Sequence, residues 1–216
     1  MKIFVTGGTG VFGRQLLPML QAAGHDVSAP GHAELDLEDT AALARALDGV
    51  DAVYHLATRI PTGDRRGQPD AFAENDRLRS IVTRLLVDTA LSLDVQTFIY
   101  PSITFLYPRE GAVDEQTPYG TDAGAQNSTV VAESEVRRFA EASRRGIILR
   151  FGLLWGPYTG SDAPVGTYGA SVQIEDAGRA LQLALDLPSG VYNVVADGQR
   201  ISNAKFKQAT GWQPRY

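Results

Sequence analysis

The sequence contains no cysteine among its 216 residues. This absence excludes a disulfide framework, a thiolate nucleophile, a zinc–thiolate site and an iron–sulfur cluster. Histidine is also scarce, and His25, His32 and His55 lie far apart in the chain. Because zinc sites without cysteine rely on histidines that come together, no metal site is expected.

Positive charge is limited as well, since the formal net charge is −5. Such a chain lacks the general electrostatic attraction that binds nucleic acid or an anionic membrane. Only three of the 20 basic residues are lysines (Lys2, Lys205 and Lys207), and the others are arginines. No apolar run approaches the roughly 20 residues that span a bilayer. The composition predicts a cytoplasmic globular protein with no nucleic-acid or membrane partner.

Short apolar segments alternate with segments of helical periodicity. Strands are predicted at residues 2–6, 25–29, 51–56, 97–100, 147–151 and 191–195. Helices are predicted at residues 11–23, 41–47, 70–93, 129–144 and 175–187, and from residue 203. The helix over 70–93 is expected to bury one stripe of apolar residues, namely Leu78, Ile81, Val82, Leu85, Leu86 and Ala90. This order of elements predicts an α/β protein with a doubly wound parallel sheet, the Rossmann architecture.

The chain is expected to form a single compact unit. With 44% apolar residues it has enough hydrophobic side chains for a sizeable core, and a chain of this length buries roughly 70% of its unfolded surface. Residues 1–157 are expected to form a dinucleotide-binding core. Residues 158–216 are expected to form a short C-terminal portion on the substrate side, packed on that core.

A glycine-rich turn lies directly between the first predicted strand and the first predicted helix. Gly7 allows a tight turn, Gly10 lets the backbone approach a pyrophosphate, and Gly13 permits close packing of helix on strand. The start of the helix, with Val11 and Phe12, offers free N–H groups and the positive end of the helix dipole to an anion. The pattern predicts a dinucleotide site, and the alternative is an ordinary glycine-rich turn.

Matches along nearly the whole chain resemble the extended short-chain dehydrogenases/reductases, the group of NAD-dependent epimerases and dehydratases. The Gly-x-x-Gly-x-x-Gly spacing is that of this family. Further similar segments are, in chain order, Asp36-Leu37, His55-Leu56-Ala57, residues 100–108, Leu149-Arg150, Trp155-Gly156-Pro157, residues 173–176, Val191-Tyr192-Asn193 and residues 211–214. The resemblance implies a Rossmann fold, a nicotinamide cofactor and a homodimer formed through the helices at 70–93 and 129–144.

The resemblance also implies which residues contact the cofactor. They are Gly7, Gly10, Val11, Phe12, Gly13, His32, Asp36, Leu37, Leu56, Ala57, Thr58 and Pro101. In such folds an acidic residue at the end of the second strand binds the ribose hydroxyls and selects NAD. Here the strand ends in Ser28-Ala29-Pro30-Gly31-His32, which removes repulsion against a 2′-phosphate. Because His32 or Arg14 could donate to that phosphate, NADP is favoured over NAD, although a solvated His32 is the alternative.

The proton relay that the resemblance implies is incomplete. In this family a tyrosine, a lysine four residues later and a serine or threonine transfer the proton. Ile103, Asn127 and Val131 occupy the usual serine, tyrosine and lysine positions. The sequence contains no Tyr-x-x-x-Lys at all. Either other residues replace the relay or the redox chemistry is lost.

Candidate replacements lie close to the end of the fourth strand. Ser102, Thr104 and Tyr107 carry the hydroxyls nearest to the missing serine. Ser102 and Thr104 also have structural alternatives: Ser102 satisfies backbone groups at the strand end, and Thr104 points outward. A tyrosine without a neighbouring cation keeps a pKa near 10 and is a poor base. Glu133 and Glu135 are interpreted as surface charges that complement a helix dipole.

The substrate side is expected to be short and aromatic. The family normally inserts a segment several times longer than residues 158–170 at this point, so any lid should be small. The candidate substrate contacts are Phe105, Tyr119, Trp155, Tyr158 and Tyr168. Aromatic walls suit a flat or apolar ligand better than a nucleotide sugar, and the alternative is that the rings pack on one another.

Three functions fit these observations. The first is an NAD(P)-dependent oxidoreductase or epimerase that acts on a small aromatic or apolar carbonyl or hydroxyl compound. The second is a non-redox isomerase or cyclase on the same fold. The third is a dinucleotide-binding protein without turnover.

Overall fold

The computed structural model describes residues 1–61, 63–121, 127–164 and 170–216, with the side chain of Arg65 left out. Six strands form the main sheet in the order β2-β1-β3-β4-β5-β8, and every neighbouring pair is parallel. Their bounds are β1 Lys2–Thr6, β2 Asp26–Ser28, β3 Ala52–His55, β4 Thr97–Ile103, β5 Arg145–Phe151 and β8 Gly190–Val194. The predicted doubly wound parallel sheet is confirmed.

Helices cover both faces of this sheet. Their bounds are α1 Val11–Ala22, α2 Thr40–Leu47, α3 Ala73–Arg77, α4 Thr83–Ser92, α5 Asn127–Glu141, α6 Ile174–Leu183 and α7 Ala204–Thr210. On one face, Leu16 of α1 and Leu181 of α6 pack in one core with Val5 of β1. On the other face, residues of α2, α4 and α5 pack with the strands in a second core. Strands buried on both faces explain why their sequences are apolar throughout.

The predicted long helix at 70–93 is wrong in its middle. Between α3 and α4 the chain forms a π-helical turn over Leu78–Val82. A π turn contains more residues than an α turn, so it rotates the side chains that follow it relative to an uninterrupted α-helix. Ile81, expected in the buried stripe, is 52% exposed, whereas Arg79 is 6% exposed.

Other elements differ from the predictions at their ends or were not predicted. Helix α5 begins at Asn127 and ends at Glu141, and not at residues 129 and 144. Two short strands, β6 Leu153–Trp155 and β7 Ser171–Gln173, form a separate parallel pair. Their three-residue length explains why apolar periodicity did not reveal them. Among the described residues, no helix has both the length and the apolar character that a membrane crossing requires.

Candidate functional site

The turn between β1 and α1 is packed so closely that side chains are excluded. Gly7 has a positive φ of 72°, and a Cβ there would lie 2.7 Å from the Ala57 amide nitrogen. A Cβ at Gly13 would lie 2.3 Å from the Gly8 carbonyl oxygen. The Gly10 amide donates to the Gly7 carbonyl oxygen at 3.0 Å, which closes the turn. Positions 7 and 13 therefore require glycine, as the sequence predicts for a phosphate-binding turn.

The amino end of α1 is open to an anion. Its N-cap, Gly10, provides no side-chain hydrogen bond to the first turn, and that turn contains no acidic residue. Helix α1 has 12 residues, so its first amides and its dipole together favour negative charge at this end. The residues present fit the pyrophosphate of a dinucleotide, because nothing in the described chain competes for these N–H groups.

A chain of hydrogen bonds connects this turn to the π-helical turn. The Ala57 amide donates to Thr6 Oγ1 at 3.2 Å, and Thr6 Oγ1 lies 2.7 Å from His55 Nδ1. On its other side, His55 Nε2 lies 3.2 Å from the Leu78 carbonyl oxygen, which can only accept. His55 therefore donates from Nε2 and accepts the Thr6 hydroxyl at Nδ1. Burial lowers the pKa of His55 to about 4, so the ring is neutral at pH 7.

The other predicted cofactor residues differ in burial. Leu56 and Pro101 are buried, Ala57 and Leu37 are half-buried, and Thr58, His32 and Asp36 are exposed. Near the end of β2, the Gly31 amide donates to Glu34 Oε2 at 2.7 Å. The fold thus brings a carboxylate to a loop whose first residues carry none. Glu34 lies two residues beyond His32, the last residue of the segment considered in the sequence.

Glu133 is not a surface charge, contrary to the expectation. Its side chain is fully buried and forms two hydrogen bonds with Arg150, at 2.8 and 2.7 Å. The Ser102 hydroxyl donates to Glu133 Oε1 at 2.6 Å, and the Tyr119 hydroxyl donates to Oε2 at 2.8 Å. Burial acts to raise the pKa of Glu133, but these donors and the charge of Arg150 hold it below its ordinary value. Glu133 is therefore ionised and already neutralised.

The tyrosines at this end of the sheet have cationic neighbours that the sequence did not reveal. The Arg150 guanidinium lies 4.7 Å from the Tyr107 ring centroid and 5.1 Å from that of Tyr119. Burial nevertheless raises the pKa of both tyrosines. The Tyr107 hydroxyl donates to Asn193 Oδ1 at 2.8 Å. A cation therefore lies close to both rings, yet both tyrosines stay protonated at neutral pH.

The remaining positions of the relay contain no replacement acid or base. Ile103 is half-buried at the end of β4, Asn127 is exposed at the start of α5, and Val131 is half-buried. Thr104 is buried, and its Oγ1 has no hydrogen-bond partner among the described residues. Thr104 was expected to point outward if it were structural, so its burial contradicts that alternative.

Trp155 and Tyr158, two of the aromatic residues predicted to contact substrate, have different neighbours among the described residues. Trp155 packs edge-on against Tyr216, with ring centroids 6.5 Å apart. Tyr158 is 73% exposed and lies under the Arg14 guanidinium at 5.1 Å. Tyr107 packs in a small core with residues 113, 170, 195 and 201, and Phe105 is half-buried. Tyr168 lies outside the described residues.

An open depression adjoins the glycine turn on the side of Tyr158. Its volume is about 500 Å³, and its lining includes Gly8, Thr9, Arg14, Leu17 and Tyr158. Arg14 Nε donates to the Thr9 carbonyl oxygen at 2.9 Å, which holds the guanidinium beside the turn. The sequence assigned Tyr158 to the substrate, but its position beside Gly8 and Thr9 places it next to the predicted cofactor turn.

The prediction from sequence missed Arg79. This residue of the π-helical turn is buried, and Nη1 donates to Thr129 Oγ1 at 2.7 Å. Its Nε is buried and has no hydrogen-bond partner within the described part of the chain. A charged residue next to an apolar helical stripe was the sequence feature that could have revealed it, but an α-helical periodicity places it outside that stripe.

Comparison with known proteins decides the family. The family model described as NAD dependent epimerase/dehydratase family matches residues 3–187. The chain belongs to this family. The resemblance of its glycine turn and later segments is therefore confirmed, and extended short-chain dehydrogenases/reductases are its relatives.

Two curated relatives of this NAD-dependent epimerase/dehydratase family protein are named reductases. A 3-diazoavenalumate denitrifying reductase from Streptomyces sp is 33% identical over 208 residues, covering 88% of this chain and 65% of the relative. A 2-alkyl-3-oxoalkanoate reductase from Stenotrophomonas maltophilia (strain K279a) is 31% identical over 177 residues, covering 73% and 52%. The chain thus aligns with between half and two thirds of the length of these relatives.

Solved structures share the fold at low sequence identity. A UDP-glucuronic acid 4-epimerase from Bacillus cereus, in complex with UDP-glucuronic acid and NAD, superposes with a TM-score of 0.83. It is 18% identical, and the match covers 100% of this chain and 95% of that chain. This similarity supports the Rossmann architecture.

Proposed function

We propose that the chain is a reductase that uses NAD(P)H and acts on a small organic substrate. A bound reduced nicotinamide supplies the hydride for such a reaction. The observation that carries the proposal is the amino end of α1, where Gly13 and an uncapped first turn leave backbone amides for a pyrophosphate. Both curated relatives described above are named reductases, which favours reduction over epimerisation.

The state of the nearby hydroxyls constrains the substrate. Reduction of a carbonyl group consumes a proton as well as a hydride. The Ser102 hydroxyl donates to Glu133, and the Tyr107 hydroxyl donates to Asn193. The pKa of Tyr107 is raised by burial, which makes it a poor acid–base catalyst near pH 7. A hydride acceptor that needs no proton from the protein therefore fits this site best.

Diazo compounds provide such an acceptor, and the Streptomyces relative is named a denitrifying reductase of one. An arenediazonium ion that takes up hydride releases dinitrogen, Ar–N₂⁺ + H⁻ → Ar–H + N₂, and no proton is consumed. This acceptor also agrees with the flat or apolar ligand predicted from the sequence. Both relatives carry the names of organic-acid anions, so substrates with a carboxylate belong in any screen.

Two experiments, a cofactor titration followed by a turnover assay, test the proposal. Fluorescence titration with NADPH and NADH should show saturable binding, and NADPH oxidation should then be followed with arenediazonium carboxylates and with carbonyl compounds. The uncatalysed reaction of each diazonium salt with NADPH is the blank. We expect NADPH oxidation faster than in the blank. This activity should persist in the Ser102→Ala and Tyr107→Phe variants. Binding without oxidation of any substrate would instead favour the non-catalytic protein, and turnover without added dinucleotide the isomerase or cyclase.

A glycine variant tests the assignment of the turn. Gly13→Ala should abolish dinucleotide binding, because a Cβ 2.3 Å from the Gly8 carbonyl oxygen forces the turn apart. Gly67→Ala is the matched control, since no atom lies within 4 Å of a Cβ at that position. Unchanged NADPH affinity in Gly13→Ala, measured by the same titration, would contradict the assignment.

We also propose that NADPH binds in preference to NADH. Arg14 beside the turn and exposed His32 offer positive or donor groups to a 2′-phosphate, whereas Glu34 at Gly31 opposes it. Arg14→Ala should therefore lower the ratio of NADPH to NADH affinity, and Glu34→Gln should raise it. Shifts of about tenfold correspond to roughly 1.4 kcal/mol each. Equal ratios in the three proteins would show that neither residue meets the 2′ position.

A further inference from the structure

Arg79 is a buried cation without a counter-ion in the described structure. The residue is 6% exposed. Its only described hydrogen bond runs from Nη1 to Thr129 Oγ1, at 2.7 Å, and its Nε is an unpartnered buried donor. Burying a charge without an ionic partner is costly, and proteins normally pair it. The position of Arg79 therefore needs a reason other than stability.

Arg150 is a buried arginine of the same protein whose charge is neutralised by a carboxylate. Its guanidinium forms two hydrogen bonds with the fully buried carboxylate of Glu133. At Arg79, one N–H group meets a neutral hydroxyl. The edge formed by Nε and Nη2 has no partner within the described ranges. That edge presents two parallel N–H groups, the arrangement that binds a carboxylate through both oxygens.

Among the described residues, none provides that carboxylate to Arg79. Asp76 lies on the exposed side of the neighbouring helical turn, where it accepts the Ser128 hydroxyl at 2.6 Å. His55 and Tyr100 are close enough for the charge of Arg79 to act on them, but burial keeps both neutral. Burial lowers the pKa of His55 to about 4 and raises that of Tyr100 to about 12.

Arg79 lies near residues of β3 and β4 and contacts helix α5. Thr129, its partner, lies in the first turn of the 15-residue helix α5, whose amino end also favours negative charge. His55 ends β3, and Tyr100 belongs to β4, whereas the glycine turn follows β1. Arg79 contacts the first turn of α5, whereas the glycine turn precedes α1, so the two proposed anion positions belong to different helix ends.

The local helix geometry supports a functional position. Arg79 belongs to the π-helical turn Leu78–Val82, and π turns inside helices occur frequently at functional sites. The Leu78 carbonyl oxygen accepts hydrogen bonds from His55 Nε2 at 3.2 Å and from the Thr83 hydroxyl at 3.3 Å. These bonds stabilise the irregular turn that directs Arg79 inward.

We propose that Arg79 and the amino end of α5 bind the carboxylate of a small organic acid substrate. This inference rests on the proposed reductase function and specifies its substrate class. One guanidinium edge matches a single negative charge in a planar carboxylate. A phosphate dianion would require more positive charge than the described residues supply here. Arg79 is then a substrate-binding residue whose charge is neutralised when the substrate binds.

The experiment compares an acid with its neutral isostere. Trans-cinnamate and trans-cinnamamide are titrated calorimetrically into the full chain saturated with NADPH, and into the chain alone. Cinnamate should bind more tightly than the amide, and Arg79→Gln should weaken cinnamate roughly tenfold to a hundredfold while leaving the amide unchanged. Arg79→Lys, which keeps the charge but not the planar edge, should fall between the two. Inorganic phosphate should not displace cinnamate.

Thermal unfolding separates this role from a structural one. If Arg79 is retained for binding, Arg79→Gln should leave the melting temperature unchanged or higher, because a buried unneutralised charge is removed. A lower melting temperature with unchanged cinnamate affinity would overturn the proposal. If the variant fails to fold, the wild-type chain decides, since cinnamate must raise its melting temperature more than cinnamamide does. Equal shifts would overturn the proposal.

The outcomes also separate the two proposals. Arg79-dependent binding of cinnamate by a chain that binds neither NADPH nor NADH would leave the carboxylate site standing and remove the reductase. Saturable NADPH binding with no preference for cinnamate over cinnamamide would remove the carboxylate site and leave the reductase standing.

Discussion

At the scale of single residues, Glu133 connects three elements of the site. It belongs to α5, and it accepts hydrogen bonds from Ser102 on β4, Arg150 on β5 and Tyr119 in the preceding loop. Its low pKa means that the carboxylate is charged when the protein folds at neutral pH. The ion pair orients Ser102 and limits that residue to a structural hydrogen bond.

Removing the charge of Glu133 should destabilise the protein strongly. In Glu133→Gln, Arg150 is left buried without an ionic partner, which typically costs about 3–5 kcal/mol. Urea denaturation at pH 7 measures this difference. Glu135→Gln is the control on the same helix, because its partners Arg84 and Arg138 are 64% and 42% exposed and such pairs contribute roughly 1 kcal/mol or less.

The pH dependence of the same difference provides a check. Because the folded-state pKa of Glu133 lies below its ordinary value of 4.5, its contribution is present above that pH and is lost as the pH falls through the folded pKa. The difference in the free energy of unfolding between wild type and Glu133→Gln should therefore decrease below pH 4.5. A difference that stays constant down to acid unfolding would contradict the ionised pair.

At the scale of elements, the π-helical turn and the end of β3 depend on one another. His55 accepts the Thr6 hydroxyl and donates to the Leu78 carbonyl oxygen, so one neutral ring links β1, β3 and the turn that carries Arg79. Protonation of His55 would place a buried charge here and replace its acceptor at Nδ1 with a donor. The geometry of the carboxylate site therefore depends on a neutral histidine.

Acid should destabilise this junction before it protonates most carboxylates. The pKa of His55 falls from 6.5 to about 4 on burial, so the unfolded chain binds more protons between these values. The free energy of unfolding therefore decreases by roughly 3 kcal/mol in total as the pH falls from 6.5 to 4, and it stays level at lower pH. Urea denaturation of wild type and His55→Gln across this range measures the effect. Parallel curves for the two proteins would refute it.

At the scale of the whole molecule, residues 158–216 complete the core. Strand β8 pairs with β5 along Ile147 to Phe151, and α6 packs against α1 in the same hydrophobic core. Gly178 of α6 lies so close to α1 that a Cβ there would be 2.6 Å from the Gln15 Cβ. These contacts support the proposed single unit, in which residues 1–157 depend on the C-terminal portion.

A chain truncated after residue 157 should therefore not fold cooperatively. It would expose the edge of β5 and the apolar face of α1, which α6 covers in the full chain. Thermal melts followed by near-ultraviolet circular dichroism compare the truncated and full chains. A cooperative transition in the truncated chain would show that the core is independent.

The homodimer through α4 and α5 stays a prediction, which sedimentation velocity can check.

The sequence contains much of the fold because local patterns encode it. The glycines at 7, 10 and 13 predict the turn before α1, and alternating apolar runs predict the parallel strands of the main sheet. By contrast, an uninterrupted α-helical periodicity over 70–93 placed Ile81 inside, because a π turn leaves no recognisable local pattern.

Spacing and periodicity by themselves indicated the Rossmann sheet and the glycine turn, since these depend on residues near one another in the chain. The ordered motifs along the chain carried the resemblance to the family, which the family model over residues 3–187 confirms. The tertiary structure alone decided charge pairing. Glu133 meets Arg150 across 17 residues and Ser102 across 31, while Arg79, within the described ranges, hydrogen-bonds to the Thr129 hydroxyl across 50 and to no carboxylate. Whether a buried charge is neutralised depends on which distant side chains folding brings together, and no local pattern records that.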